Sequence, residues 1–493
     1  MSNATAAALP PPLVSALPGD FPTWLPPMFV KELRQGLRTR GFVIVFIAFQ
    51  ALMALLMMGA IVGQNTAVPG ARATIGATIS GFFWTLLSVQ LLLVTPARAL
   101  GSLQTEMDSR SLDLLLLTRL SAWRIVVGKW ASLVAQAALL LVAMLPYGIV
   151  RYFAGSVDLV SDANTCLALL GACAVLTSAG LWSSGLSKVL RVVFVVVGIF
   201  IGQVWRPLFA SFGVGSAGPG LSFTWDQVAM WTFDGALLLV FFLVAAVRRI
   251  SPLAENHAPL ARALPVLALA ATPIWVHWAA IGSLRIQLAF TGIFTLLVCA
   301  VEFANSRRPM AVHVRPWQAR GGWGRFVGRF VLPGWPSALL FACLVTGIAA
   351  VGVQFSKPIP PPMHKLAATW LVTLALGGLA FPVLALAFFP RTAARSGASL
   401  YGLTLGAMSV LAATSAVMAA AFPYKYAILV LLARVLPVAG FWLSLPNPDD
   451  LSAKAMVIQG LLVAGVLAAA WWQSRAYWRH VSELEQRGRA ETP

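Results

Sequence analysis

The sequence predicts an all-α protein, a polytopic transmembrane helix bundle. Hydrophobic residues make up 59% of the 493 residues and charged residues only 10%, which lies far outside the composition of soluble domains. The apolar residues collect in runs of about 20, the length that a helix needs to cross a bilayer. The net charge of +19 comes from Lys and Arg in short loops beside these runs. This is the pattern of an integral membrane protein, and nucleic acid is not an expected partner.

The chain begins with a proline-rich tail, residues 1–27, which has neither a basic start nor a continuous apolar core and so does not read as a cleaved signal peptide. In Met28–Arg40, apolar residues recur at helical spacing beside a face that carries Lys31, Arg34 and Arg38. The pattern predicts an amphipathic elbow helix on the inner leaflet, its cations held by anionic lipid, in preference to a plain basic flank of the first span.

Six spans are predicted in the unit 28–250. The loop between spans one and two lies outside, and the charged stretch between spans two and three must project from the inner face. The connection between spans five and six, 211–227, has no Lys or Arg, as an external loop should. The six predicted spans are Gly41–Val62, Thr74–Pro96, Trp130–Val150, Asn164–Leu186, Val192–Phe209 and Val228–Val247.

A hairpin of spans seven and eight, Leu264–Gly282 and Ile286–Asn305, leads to the most basic part of the chain, Arg307–Pro333, which contains six arginines. This density of arginine marks the cytoplasmic side, and tryptophans nearby suit the headgroup layer. We interpret the segment as a second elbow before a divergent second half. The regions that follow from this reading are the hairpin and basic segment 251–333, the second membrane half 334–474 and a cytoplasmic tail 475–493.

The second half contains five further apolar runs, and if all five crossed the membrane the basic tail would lie outside, against the positive-inside rule. One run, Tyr426–Leu445, is interrupted by Arg434, and an Arg at the midpoint of a span costs at least several kcal/mol. We therefore predict that it dips into the membrane from outside without crossing. About 12 spans result, with both termini cytoplasmic, and 13 if Arg434 has a buried partner. The other runs are Trp335–Phe355, Leu366–Phe389, Ser399–Phe422 and Ala455–Trp472.

The stretch Glu106–Lys129 reads EMDSRSLDLLLLTRLSAWRIVVGK and carries seven charged residues between two apolar runs. Ser109 or Ser111 can cap a short helix, and Asp113 lies near the positive N-terminal end of that helix. The leucine run that follows gives the helix an apolar surface. Such a helix, projecting from the membrane, is suited to binding by a partner protein.

These residues resemble the cytoplasmic coupling segment of ABC-2 type transporter permeases. The likeness consists of Glu106, then Ser111-Leu112-Asp113, a leucine run, Thr118, Leu120-Ser121 and Gly128-Lys129. Two residues depart from the family pattern: Arg110 stands where the family usually has Gly, and Arg119 stands where it often has Pro. The resemblance covers about Met28–Arg249, in which the elbow, the spans and the coupling segment are in register.

The resemblance implies an ATP-driven exporter in a bacterial-type inner membrane. A separate ABC ATPase subunit would bind ATP and Mg and dock on the coupling helix, and the chain would pair with a second copy of itself or with another permease. The residues that the resemblance assigns to ATPase docking are Glu106, Ser111, Asp113, Leu114, Leu115, Thr118 and Arg119.

No catalytic, cofactor-binding or metal-binding motif is visible in the sequence. The only Gly-Lys pair, Gly128-Lys129, has Trp123 where a P-loop needs its first Gly and Trp130 where it needs Ser or Thr, so we expect the chain not to be an enzyme. The four cysteines lie in apolar runs without metal-ligand spacing and are expected to be packing residues.

Four ionisable residues lie well inside apolar runs: Asp234, His277, Glu302 and Arg434. They either form a polar path for ion coupling or, at span ends and in satisfied packing contacts, have a structural role. The structural interpretation is favoured for the first three, and Arg434 is left open. Two rival function classes stand beside the permease: an ion-gradient-driven secondary carrier, which would normally need more buried carboxylates, and a non-transporting membrane anchor or regulatory subunit.

Overall fold

The computed structural model describes residues 26–66, 72–103, 121–153, 159–184, 225–278, 308–355 and 453–490, together with part of 287–302 and Ala407. Every regular element in this part of the chain is a helix. The helices are α1 (Pro27–Leu37), α2 (Arg40–Thr66), α3 (Arg72–Ser88), α4 (Thr95–Ala99), α5 (Ala122–Phe153), α6 (Leu159–Ser184), α7 (Trp225–Ile250), α8 (Ala258–Trp278), α9 (Ala311–Gln318), α10 (Gly321–Val331), α11 (Trp335–Phe355) and α12 (Ala453–Ala490).

Within the described residues, six helical stretches are long and apolar enough to cross a membrane, and a bent pair would make a seventh. The all-α, membrane-type fold is therefore confirmed at this level, and the full count of 12 spans stays a prediction. The six stretches correspond to predicted spans one to four, six and seven, and they run over Arg40–Gly63, Ser80–Ala99, Ala122–Ile149, Val160–Ser184, Val228–Ile250 and Ala258–Trp275. Predicted spans five and ten, nearly all of the run Ser399–Phe422, and the dip Tyr426–Leu445 lie outside the described residues.

α3 continues into α4 through a π-helical segment, Val89–Val94. Pro96 has no N–H to donate to the preceding turn, which removes one rung of the α-helical ladder at this point. The hydroxyl of Thr95 instead donates to the Gln90 carbonyl at 3.0 Å. α4 packs closely on α6, since a Cβ added to Gly180 would lie 2.8 Å from the Pro96 carbonyl oxygen. The second span thus reaches the charged stretch through a locally widened helix.

Two apolar clusters hold most of the helices from α1 to α8 together. One is centred on α7, in which residues 241–248 are all buried, and includes side chains of α5, α6, α8 and α1. The other joins α2, α3 and α5 through large side chains such as Phe49, Met53 and Leu140. α7 is accordingly enclosed on all sides along this part of its length, while α2 keeps a broad apolar face exposed.

The second half begins with a sharp bend and includes one long helix. α10 and α11 meet at 100° across the turn 332–334. α12 is a single helix of 38 residues that runs through the predicted end of the last span and continues about 27 Å beyond Trp472. Its charged part packs on α9 and the turn through Val314, Leu332 and Val481.

Candidate functional site

The ends of α1, α7, α8, α9, α10 and the charged part of α12 come together, and we call this region the cationic end. Met28 of α1 shares a buried cluster with Ile250 of α7 and Ala261 of α8. His313 of α9 contacts the Ala254 carbonyl, and His480 of α12 contacts the Pro309 carbonyl, which attaches the later helices to the same end. Cations that lie here include Lys31, Arg34, Arg38, Arg248, Arg262, Arg315, Arg320, Arg325, Arg329, Arg475 and Arg479.

α4 and α5 bring both flanks of the predicted coupling helix to the cationic end. Leu103, just after α4, and Ala122 and Ile125, at the start of α5, are buried in the same cluster as Met28. Residues 104–120 lie outside the described residues, and with them all the predicted docking residues: Glu106, Ser111, Asp113, Leu114, Leu115, Thr118 and Arg119.

α1 lies against the start of α5. The Lys129 ammonium is 3.2 Å from a carboxylate oxygen of Glu32, and both side chains are largely shielded from solvent. Gly128 lies against the Met28 side chain, and Gly36 lies against the amide of Gln136, so two glycines allow the helices to approach closely. The predicted elbow residues Lys31, Arg34 and Arg38 are exposed on the outer side of α1. A helix is present over Pro27–Leu37, shorter at its end than the predicted Met28–Arg40, and its role as an elbow on a lipid surface stays a prediction.

Glu302 lies between two arginines at the cationic end. The Arg248 guanidinium donates to both Glu302 carboxylate oxygens, at 2.6 and 2.8 Å, and Arg262 Nη2 donates to Oε1 at 3.2 Å. All three side chains are at most 2% exposed. This geometry satisfies the carboxylate fully, as burial of an ion pair requires.

The same cluster holds the bend between α10 and α11. The Gly334 N–H donates to Glu302 Oε2 at 3.1 Å, and Arg262 Nη1 donates to the Phe330 carbonyl and to Ser337 Oγ. Tyr477 of α12 donates its hydroxyl hydrogen to the Pro333 carbonyl at 2.9 Å. Burial raises the pKa of Tyr477, which keeps the phenol protonated as a donor. Glu302 therefore lies at the centre of a set of contacts that connects α7, α8, α10, α11 and α12, which we call the Glu302 joint.

Asp234 of α7 is buried and accepts a hydrogen bond from the Gln287 amide at 3.1 Å. Gln287, Thr291 and Thr295 recur every four residues and are all buried, so they form a polar row on one helix face. Gln287 Oε1 has no hydrogen-bond partner in the described part of the chain. Two intramembrane candidates remain. His277 belongs to α8, but its side chain is outside the described part of the structure, and Arg434 lies outside the described residues altogether.

No pattern in the sequence predicted that Arg248 and Arg262 pair with Glu302. The ion pair at the opposite end of the bundle was not predicted either. There Arg151 of α5 donates to Asp162 of α6 at 2.9 Å and lies over the rings of Phe83 and Trp84. The signal for this last pair was available, since the two charges flank one short connection between antiparallel spans. The partners of Glu302 are 40 and 54 positions away, and no local pattern marks them.

Within the described residues, no three His, Cys, Asp or Glu side chains come together as metal ligands. The arrangement at the cationic end instead offers ion-paired joints and exposed arginines, which suit protein and anion contacts. Compared with known proteins, the chain matches no family model, no curated protein and no solved structure.

Proposed function

We propose that the chain is the membrane-spanning permease subunit of an ATP-driven ABC-2 type transporter, an exporter whose separate ATPase subunits dock on Ser109–Ser121. The observation that supports this most is the placement of the flanks of that stretch. Leu103 and Ala122 are both buried at the cationic end, beside the amphipathic α1. A charged segment that leaves and rejoins the bundle at that point would be accessible to a partner protein outside the bilayer.

The contacts around the stretch suggest how force would pass into the bundle. A push on the coupling helix acts directly on the start of α5, and α5 carries α1 with it through the Lys129–Glu32 pair. On the other side, the stretch follows α4, which reaches α3 through the π-helical segment and packs against α6 at Gly180. ATP-driven dimerisation of the ATPase subunits would rock these helices and open a path to the outer side.

The buried carboxylates favour this class over an ion-gradient-driven carrier. A carboxylate that carries protons must be able to lose its partner during the cycle. Glu302 instead accepts hydrogen bonds from two arginines and from the Gly334 N–H, which fix it as an anion in a structural joint. Asp234 is then the one predicted intramembrane carboxylate left for such a role.

In the proposed assembly the cationic end faces the cytoplasm of a cell with a bacterial-type inner membrane, which follows the positive-inside rule. The chain pairs with a second copy or with another permease, so that two ATPase subunits can dimerise beneath two coupling helices.

The test is purification of the tagged full chain from its native membrane, followed by measurement of ATP hydrolysis in the eluate and identification of the co-purifying P-loop subunit. Asp113→Lys combined with Leu115→Glu should abolish both the co-purification and the ATP hydrolysis. Glu483→Lys is the control for the Asp113→Lys component, because it makes the same charge reversal at an exposed position on α12. The proposal fails if the wild-type chain brings down no ATPase, or if the double variant retains it.

A further inference from the structure

α10 exposes its apolar side and buries its small residues. Trp323, Phe326 and Val327 are 80%, 56% and 41% exposed, an unusual degree for large apolar side chains clustered on one short helix. Gly324 and Gly328 lie on the opposite side, packed against Trp317 of α9. No described part of the chain covers the apolar side.

Arginines flank that apolar stripe. Arg325 and Arg329 lie one turn apart on another side of α10, and Arg320, which precedes the helix, lies over the Trp317 ring at 5.0 Å. A short helix with an aromatic stripe and neighbouring arginines is typical of helices that lie in the plane of a membrane surface. The same pattern does not suit a crossing helix, because the arginines would enter the hydrocarbon.

The bend fixes the orientation of α10 relative to the membrane. α11 is apolar along its length and meets α10 at 100°, so that α10 lies parallel to the bilayer if α11 crosses it. The orientation is secured at the C-terminal end of α10, where Arg262 donates to the Phe330 carbonyl and Ser337 Oγ donates to the Arg329 carbonyl at 2.6 Å.

α12 independently marks the same level of the membrane. Trp471 and Trp472 are both well exposed, and the Arg475 guanidinium lies over their rings at 4.7 and 3.9 Å. Such a stack of tryptophan and arginine is typical of the headgroup layer. Tyr477, bonded to Pro333 in the bend, is only about 7 Å further along the helix axis. The bend and α10 therefore lie at the depth of the lipid headgroups.

We propose that α10 and the Trp471–Arg475 stack form a binding surface for anionic phospholipids in the leaflet at the cationic end. Trp323, Phe326 and Val327 would enter the acyl-chain boundary, and Arg325, Arg329 and Arg475 would donate hydrogen bonds to headgroup phosphates. A membrane is the occupant that fits, because the surface combines positive charge with a helix held perpendicular to a crossing helix. The inference stands independently of the proposed ATPase docking.

The depth of α10 can be measured by spin labelling. In the full chain with its four cysteines replaced, single labels at 323, 326 and 327 would be compared in liposomes of phosphatidylglycerol and phosphatidylcholine. Exposed positions Leu344 on α11 and Gln486 on α12 serve as lipid and water references. We expect high accessibility to oxygen and low accessibility to a water-soluble nickel reagent at all three positions. Water-like accessibility, or protection from both reagents by a second copy or another protein, would overturn the proposal.

Lipid selectivity is tested on the purified full chain in neutral detergent, with phosphatidylglycerol, phosphatidylcholine and inorganic phosphate as separate probes. Binding of phosphatidylglycerol is measured by native mass spectrometry. We expect it to weaken by about thirtyfold in the double variant Arg325→Gln with Arg329→Gln, since each surface cation contributes about 1 kcal/mol to the binding free energy. Arg479→Gln with Arg487→Gln on the charged part of α12 is the matched control and should change binding little. Equal binding of phosphatidylcholine, competition by inorganic phosphate at similar concentration, or equal loss in the control variant would each refute the proposal.

Discussion

α1 and α10 are both amphipathic helices of 11 residues that precede an apolar helix, yet they use their apolar sides in opposite ways. α1 buries Met28 and Leu33 against the protein and exposes its cations. α10 buries glycines and exposes Trp323, Phe326 and Val327. The difference shows that an amphipathic pattern predicts a surface helix but leaves open whether protein or lipid covers its apolar side.

The two helices are also attached to different parts of the protein. α1 is joined to α5, the helix that follows the predicted coupling stretch, through the Lys129–Glu32 pair. α10 is joined through its C-terminal carbonyls to the Glu302 joint, which ties together α7, α8, α11 and α12. In the proposed transporter α1 would therefore move with the motor, while α10 would anchor the second half to the membrane.

The largest effect is expected at the joint that holds α10. Glu302→Gln would leave Arg248 and Arg262 buried without their anion, and loss of one partner of a buried ion pair costs about 3–5 kcal/mol. Unfolding of the purified chain by denaturant in detergent measures the change. Glu483→Gln, which removes the same charge from an exposed position, should have almost no effect. Equal stability of the two variants would show that the joint does not hold the bend.

A smaller effect is expected where α10 packs on α9. A Cβ at Gly324 would overlap the Trp317 carbonyl oxygen, which belongs to the backbone and cannot easily move, so Gly324→Ala should cost about 1–3 kcal/mol. Gly322→Ala is the matched control, since nothing lies within 4 Å of its Cβ position and Ala is the better helix former. The same unfolding measurement should show the first variant destabilised and the second unchanged or more stable; the reverse order would contradict the packing.

The attachment of α1 is tested by reversing charges. Glu32→Lys places two cations together in a partly buried site, and we expect a loss of about 1–3 kcal/mol, together with weaker disulfide cross-linking between cysteines introduced in α1 and α5. Lys129→Glu added to Glu32→Lys should restore much of the cross-linking. Lys31→Glu, on the exposed side of α1, serves as the control. If the double variant cross-links no better than Glu32→Lys, the ion pair does not hold α1 in place.

The smallest effect is expected at Asp234. Asp234→Asn keeps an acceptor for the Gln287 amide and removes the cost of burying a charge, so the free energy of unfolding should change by less than about 1 kcal/mol. Asp234→Leu, which keeps the branched shape of the side chain but has no acceptor, leaves the Gln287 amide unpaired and should be clearly less stable than the Asn variant. Near-equal stability of the two variants would argue against a hydrogen-bonded role for this side chain.

The elements at the membrane were largely predictable, and the contacts among them were not. The apolar runs that predicted spans one to four, six and seven each correspond to a long apolar helix, because a run of about 20 apolar residues has few other stable structures in a membrane. One boundary differs from its prediction: α5 begins at Ala122 rather than Trp130. The added turns contain two cations, Arg124 and Lys129, and such residues can extend a helix once the apolar run has nucleated it.

The amino-acid sequence by itself determined that this is an all-helical, membrane-type chain with its cations gathered in particular connections, because hydropathy and charge act locally along the chain. Only the tertiary structure decided that Glu302 lies between Arg248 and Arg262, that Lys129 meets Glu32, and that α10 turns its apolar side away from the other described helices. These outcomes depend on which helix faces meet, and packing between residues far apart in the chain sets that choice.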